Sequence, residues 1–225
     1  MLKTTGSGAD EVEMQPQTTK PESDDELVLE LLYSTFSSFA LLTAHKLRMF
    51  GLFEAEPLTT SEVARRLDIA ERPAEILLIT LTAQRLLSRT DDRYSLLPVA
   101  RRYFLESSPA YLGGMLDFAV ATHPMCTVEN LEGCTRSDRP LAYGRGEMFQ
   151  THAQEVARAR FFTHAMHSQS VAPSMAWPKS IDLSGYKKML DVAGGSRAHS
   201  IGALLPVAGT DIVGTRNGAG MRACA

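Results

Sequence analysis

Lys188-Met189-Leu190-Asp191-Val192-Ala193-Gly194-Gly195-Ser196-Arg197-Ala198-His199-Ser200-Ile201 reads as an apolar strand, an acid near its end, a glycine turn and the opening of a helix. That order suits a nucleotide-type cofactor. The turn lets backbone approach the ligand, and a helix N-terminus faces its negative end. The Gly-Gly pair alone is weak evidence, because such pairs occur in many turns. The chain given ends at Ala225, so a nucleotide-binding domain is expected to begin here without its remaining strands.

Working outward, Ile181-Asp182-Leu183-Ser184-Gly185-Tyr186 forms a loop feeding the strand. Residues 98–180 read as helical, with breaks at Ser107-Ser108-Pro109, His123-Pro124 and Trp177-Pro178. Upstream, residues 58–104 form a unit. Thr60-Ser61-Glu62 caps a short helix carrying Val63, Ala64 and Leu67. A second helix starts at Arg72-Pro73, where proline's missing N–H costs nothing, and carries Ile76, Leu77, Ile79 and Leu81. Leu86–Arg89 and Tyr94–Leu96, joined through Thr90-Asp91-Asp92-Arg93, read as a β-hairpin. Two helices and a hairpin in this order describe a winged helix.

Before that unit, Ser23-Asp24-Asp25-Glu26 opens a long helix with acids in its first turn. Leu27, Leu31, Tyr33, Phe36, Phe39 and Leu42 occupy nearly every side of it, and Gly51 is its expected end. A helix apolar all round is buried on all sides. So short a chain offers little to bury it, and a second copy of the chain is the expected partner. Residues 1–24 are polar and aperiodic, the pattern of a disordered leader.

Bulk properties exclude several classes. The 225 residues are 44% hydrophobic and 22% charged, ordinary for a globular protein. A net charge of −3 argues against nonspecific nucleic-acid binding. No uninterrupted run reaches the roughly 18 apolar residues of a membrane span, and no secretion pattern opens the chain. Cys126, Cys134 and Cys224 are odd in number and widely spaced, which reads as reduced thiols of a cytoplasmic protein.

The winged helix invites a regulator reading, yet its second helix carries Glu71 and Glu75, with Arg72 and Arg85 only at its ends. A DNA reader needs several Arg, Lys, Asn or Gln side chains there. The charge pattern instead suits a winged helix reused for subunit packing. His164 and His167 share a helix face, but neither they nor Cys126 and Cys134 have a second pair at metal-ligand spacing, so no metal site is expected. Arg65-Arg66 and Arg101-Arg102 read as solvated helix faces.

Taken together, Leu58–Leu67, Tyr94–Ala100, Phe161–Ser170, Ile181–Tyr186 and Leu190–Val192 carry a more specific signal than any one motif. Over about residues 25–205 the chain resembles the small-molecule O-methyltransferases that use S-adenosylmethionine, of the plant-caffeate and bacterial-polyketide type. The resemblance implies that Asp191 and the turn Gly194, Gly195 and Ser196 match the family's first cofactor motif, where backbone packs against the methionine part of the cofactor. It places Met166 and Ser170 on a helix bordering the cofactor pocket; core packing is the alternative role for Met166. The family turn reads Asp-Val-Gly-Gly-Gly-Ser-Gly, whereas this chain has Ala193 for the first glycine and Arg197 for the last. A side chain where φ > 0 is needed costs about 1 kcal/mol, and Arg197 either meets the ligand or swings into solvent.

Past Leu205 the resemblance ceases. Residues 206–220 have no helical period and are crowded with glycine, where the family continues its helix, then Trp-Pro and a second strand ending in an acid. A reading-frame shift near Pro206 is one explanation, since the neighbouring frame can encode Trp-Pro, an apolar strand and an acid where Arg216 stands. An unrelated natural tail is the other. The first strand is therefore expected to stand alone, with unpaired edges. In the resembling enzymes the base that takes the acceptor hydroxyl's proton is a histidine well beyond the first motif. None of His45, His123, His152, His164, His167 or His199 stands in the matching place, so no catalytic residue is assigned.

The fold expected is mainly α: a leader at 1–24, a helical dimerisation domain containing a winged helix at 25–180, the first β-α part of an incomplete Rossmann-like α/β methyltransferase domain at 181–205, and an unrelated tail at 206–225. The resemblance implies O-methylation of a small hydroxylated, aromatic molecule, with S-adenosylmethionine as cofactor, a homodimer through the long helix, and no nucleic-acid or membrane partner. This chain alone is expected to be inactive or nearly so. The rival reading is a winged-helix transcriptional regulator or a cofactor-free dimerisation module.

Overall fold

The computed structural model describes residues 24–141, 156–183, 185–192 and 194–204, and the backbone of 211–215. The expected leader (1–24, apart from Asp24), His152, Ala193, Cys224 and most of the tail lie outside the described residues. The chain divides into two units, residues 1–35 and 36–225.

Helix α1 (Glu26–Lys46) is the long apolar helix anticipated above. It stops five residues before Gly51. Leu47 and Arg48 still donate backwards to Thr43 and His45, but Arg48 turns left-handed at φ 55°, and the chain tightens into a 3₁₀ turn over Met49–Phe53 that passes through Gly51. Within α1 only Ala44 is buried, while Leu27, Leu31, Leu32 and Phe36 are each about two-thirds exposed. The helix is thus left largely uncovered within this chain, in line with the expectation that so short a chain offers little to bury it. By length and composition alone, α1 is also apolar enough to cross a membrane. Counting uninterrupted apolar runs missed this, because serines and threonines punctuate the helix without adding charge.

The next unit builds the core. Strand β1 (Leu58–Thr59) leads into α2 (Thr60–Leu67) and α3 (Glu71–Ala83), then β2 (Leu87–Thr90) and β3 (Arg93–Leu96). The strands form one antiparallel sheet in the order β1-β3-β2, with Leu87 opposite Leu96 and Leu58 opposite Tyr94. The β2–β3 turn is tight, and Asp91 takes the left-handed conformation it needs. The helix cap lies one residue earlier than expected. Thr59, not Thr60, accepts from the Glu62 amide at 3.3 Å, and Glu62 returns by accepting from the Thr59 amide at 2.8 Å. This reciprocal box satisfies two otherwise orphaned donors. The Thr59 amide hydrogen bond, outweighing partial desolvation, holds the Glu62 carboxyl below the usual carboxylate range, with Arg93 and Arg66 assisting. Arg93 also donates to the Pro57 carbonyl at 2.8 Å, pinning β3 to the cap.

Met49, Phe50, Phe53, Val63, Leu78 and Tyr94 are buried at the centre of this unit. On α3 the inward face is Ala74, Leu78 and Leu81, whereas Ile76 and Ile79 point outward and are more than half exposed. Helices α4 (Pro98–Phe104), α5 (Gly113–Thr122) and α6 (Val128–Ser137) follow, then α7 (Val156–Ala176), which carries Pro173 near its end. The expected breaks hold: His123–Met125 and Trp177–Ser180 are 3₁₀ turns. His45 near the end of α1 pairs with Asp117 of α5 at 2.8 Å, and Phe39 stacks on His123 at 4.3 Å.

Beyond α7, β4 (Lys188–Val192) runs into α8 (Ala198–Leu204). The expectation of a lone terminal strand fails. Residues Asp211–Thr215 form β5, paired parallel to β4 with Lys188 opposite Asp211 and Val192 opposite Thr215. A strand, a helix and a parallel neighbour make one βαβ step. Five residues of the tail therefore take the place of a second strand despite the absence of a recognisable motif there.

Candidate functional site

The turn between β4 and α8 owes its shape to a few contacts. Asp191, next to last in β4, is half-buried, and its Oδ2 accepts a hydrogen bond from the Ser200 hydroxyl on α8. Its carboxylate lies directly over Gly194. A Cβ at position 194 would stand 2.5 Å from Asp191 Cγ and 2.7 Å from Oδ1, so a side chain there would make the carboxylate shift. Gly195 is left-handed at φ 50°, and Arg197 is left-handed at φ 62°. The Arg197 amide donates to the Gly194 carbonyl at 2.7 Å, closing the turn, and the Ile201 amide donates to the Arg197 carbonyl at 2.9 Å, starting the helix.

Asp191 at the end of β4 thus stands beside the turn that holds Gly194, Gly195 and Ser196. Arg197 occupies a backbone conformation that glycine adopts freely, and its side chain is exposed.

Helix α8 is seated on α7 by small residues. Ala198, Ser200, Gly202 and Ala203 are buried. A Cβ on Gly202 would lie 2.5 Å from the carbonyl carbon of Ser174, so the two backbones meet in close contact. Helix α7 is held in turn by α5. Ser168 accepts from the Met115 amide at 2.8 Å and donates to the Ala165 carbonyl at 3.0 Å. A Cβ on Gly114 would come within 2.6 Å of the His164 carbonyl oxygen. Phe118 packs between Phe161 and Phe162, with ring centroids 5.9 and 6.1 Å away.

Met166 and Ser170 are four residues apart on α7, hence on one face, and both are half-buried. The contact that ties this helix to α8 runs through Ser174 and Gly202, neither of which the sequence reading singled out. Ser200 was missed as well. On α8 the signal was the small residues Ala198, Ser200, Gly202 and Ala203 among His199 and Ile201, a pattern too common to identify a packing face without its partner.

The remaining histidines are scattered. His45 is engaged by Asp117 and His123 by Phe39; His164 and His199 are exposed, and His167 is half-buried. Among the described residues, no group of three or more His, Cys, Asp or Glu is placed to hold a metal ion.

Residues 29–107 match the O-methyltransferase dimerisation domain family. This segment is an O-methyltransferase dimerisation domain. It contains most of α1 and the whole three-stranded unit that follows. The chain is 30% identical over 175 residues to a 3-hydroxy-5-methyl-1-naphthoate 3-O-methyltransferase of Streptomyces sahachiroi, covering 76% of this chain and 49% of that protein. It is 29% identical over 168 residues to a tetracenomycin polyketide synthesis 8-O-methyl transferase of Streptomyces glaucescens, covering 74% and 49%. The chain therefore spans about half the length of these curated relatives. Among solved structures, human N-acetylserotonin methyltransferase in complex with SAM superposes with a TM-score of 0.70 at 20% identity, covering 87% of this chain and 60% of that one. That likeness speaks to the fold. It extends beyond the dimerisation domain.

Proposed function

We propose that this chain carries the dimerisation domain and the first cofactor-binding turn of an S-adenosylmethionine-dependent O-methyltransferase. Its acceptor is a small hydroxylated aromatic molecule, the kind named for the Streptomyces sahachiroi relative. The observation that carries this reading is the acid at the end of β4 packed directly against Gly194, in a βαβ step that follows a segment matching a dimerisation domain. The cofactor named for the human structure supports the choice of ligand. Helix α1, apolar all round and exposed within one chain, suits a homodimer in which a second copy covers it.

The residues present fit such a cofactor. Its amino-acid end bears an alkylammonium, and a carboxylate is the group that pairs with it. Ser200 engages Oδ2 of Asp191, and an ionised carboxylate retains further acceptor sites, including those on Oδ1. Gly194, Gly195 and Ser196 present backbone without bulky side chains, so the ligand can approach closely. Met166 and Ser170 form the flanking wall on α7. When bound, the cofactor supplies a methyl group on a sulfonium centre, open to in-line attack by an acceptor oxygen. Binding and orientation are the tasks of this chain's residues, and none of them is assigned the removal of the acceptor's proton.

Calorimetric titration with S-adenosylmethionine, beside a DNA-binding scan at low salt, tests the proposal. Saturable cofactor binding that is lost on Asp191→Ala supports it. Salt-sensitive DNA binding with no cofactor uptake would establish the regulator reading in its place.

A further inference from the structure

Two contacts meet at one carboxylate. Ser200 donates to Oδ2 of Asp191 from α8, while the bare Cα of Gly194 takes up the space beneath the same group. Ser200 is only 4% exposed, so its hydroxyl is shielded from competing water. It stands two residues before Gly202, whose backbone contact with Ser174 fixes α8 against α7. The rotamer of the acid at the end of β4 is therefore coupled to the seating of two helices.

We infer that Ser200 is a positioning residue for the amino-acid end of the cofactor. By occupying Oδ2 it holds the Asp191 carboxylate in one orientation, leaving Oδ1 to accept from an alkylammonium lodged in the turn. This deepens the proposed function and rests on it. Without the hydroxyl the carboxylate is free to rotate, and a ligand must then pay for ordering it. A hydrogen bond to a charged group carries enough energy for a change of about tenfold in affinity.

The test is a double-mutant cycle on the full chain, read by calorimetric binding of S-adenosylhomocysteine, with Ser200→Ala, Asp191→Asn and the pair combined. If Ser200 acts through the acid, S200A weakens binding about tenfold in the native background and adds almost nothing once D191N is present. Thermal melts of the same four proteins monitor folding separately. An S200A variant that melts lower yet binds as tightly as the parent overturns the inference, because the hydroxyl is then only part of the helix packing. Equal losses in both backgrounds overturn it too. A parent chain that binds no S-adenosylhomocysteine defeats the proposed function itself, and is distinguishable from either result.

Discussion

The acid at position 191 and the glycine at 194 form a matched pair, since the space of a missing side chain is filled by a carboxylate. Gly194→Ala would drive a methyl group into Asp191 Cγ, 2.5 Å away. The strand end cannot yield without breaking its register with β5, so the acid must move. We expect S-adenosylmethionine affinity to fall about tenfold or more, a loss of at least 1.4 kcal/mol, measured by titration. Arg197 makes the opposite case. It holds φ 62° with an exposed side chain. Arg197→Gly should stabilise the chain by about 1 kcal/mol in urea unfolding, because relief of the left-handed strain exceeds the added entropy of glycine. A destabilised variant would show that the Arg197 side chain contributes to the fold.

Glu62 gives a pH-dependent prediction. Its carboxyl is held low in the folded chain, chiefly by the Thr59 amide. Its stabilising contribution is therefore present above the ordinary carboxylate value and fades as pH falls through the lowered one. Glu62→Gln should flatten the acid-side decline of stability, and an unchanged slope would contradict the assignment. Thr59→Ala, which removes the other half of the box, should cost about 1 kcal/mol at neutral pH, checked by chemical denaturation.

Among the elements, α7 matters most because it is clasped on two sides. Gly114 of α5 approaches the His164 carbonyl, and Gly202 of α8 approaches that of Ser174. Both contacts are backbone against backbone, so neither can relax by turning a side chain. Gly202→Val should push α8 from its seat and cost about 1–3 kcal/mol, the range for overpacking a tight site. It should also weaken cofactor binding, since Ser200 shifts with the helix. Stability lost without any change in affinity would separate the α7–α8 seat from the turn. The sequence read as helical over residues 98–180, with breaks at Ser107-Ser108-Pro109, His123-Pro124 and Trp177-Pro178. It did not show which face of each helix was buried. On α3, for example, Ile76 and Ile79 are as apolar as Leu78 and Leu81, yet they face outward. Only the position of the adjoining sheet distinguishes the two sets.

For the molecule as a whole, the outstanding fact is the exposed apolar surface of α1. Leu31 and Phe36 are 65% and 67% exposed in a helix belonging to a dimerisation domain. In the proposed homodimer a second copy would remove that surface from water at roughly 25 cal/mol per Å² of apolar area. Replacing both residues with aspartate should convert a dimer to monomers in sedimentation equilibrium. A variant that stays dimeric would place the interface elsewhere.

Local chemistry alone was sufficient for the long first helix, the two short helices and hairpin that follow, and the glycine turn, because capping, turn formation and strand alternation depend on near neighbours. The seating of α8 on α7, the hydroxyl that holds Asp191, and the strand formed by residues 211–215 were settled by tertiary packing. Each joins groups far apart along the chain or draws on residues whose own pattern is too plain to declare a partner, and only the folded neighbours select among the arrangements such residues permit.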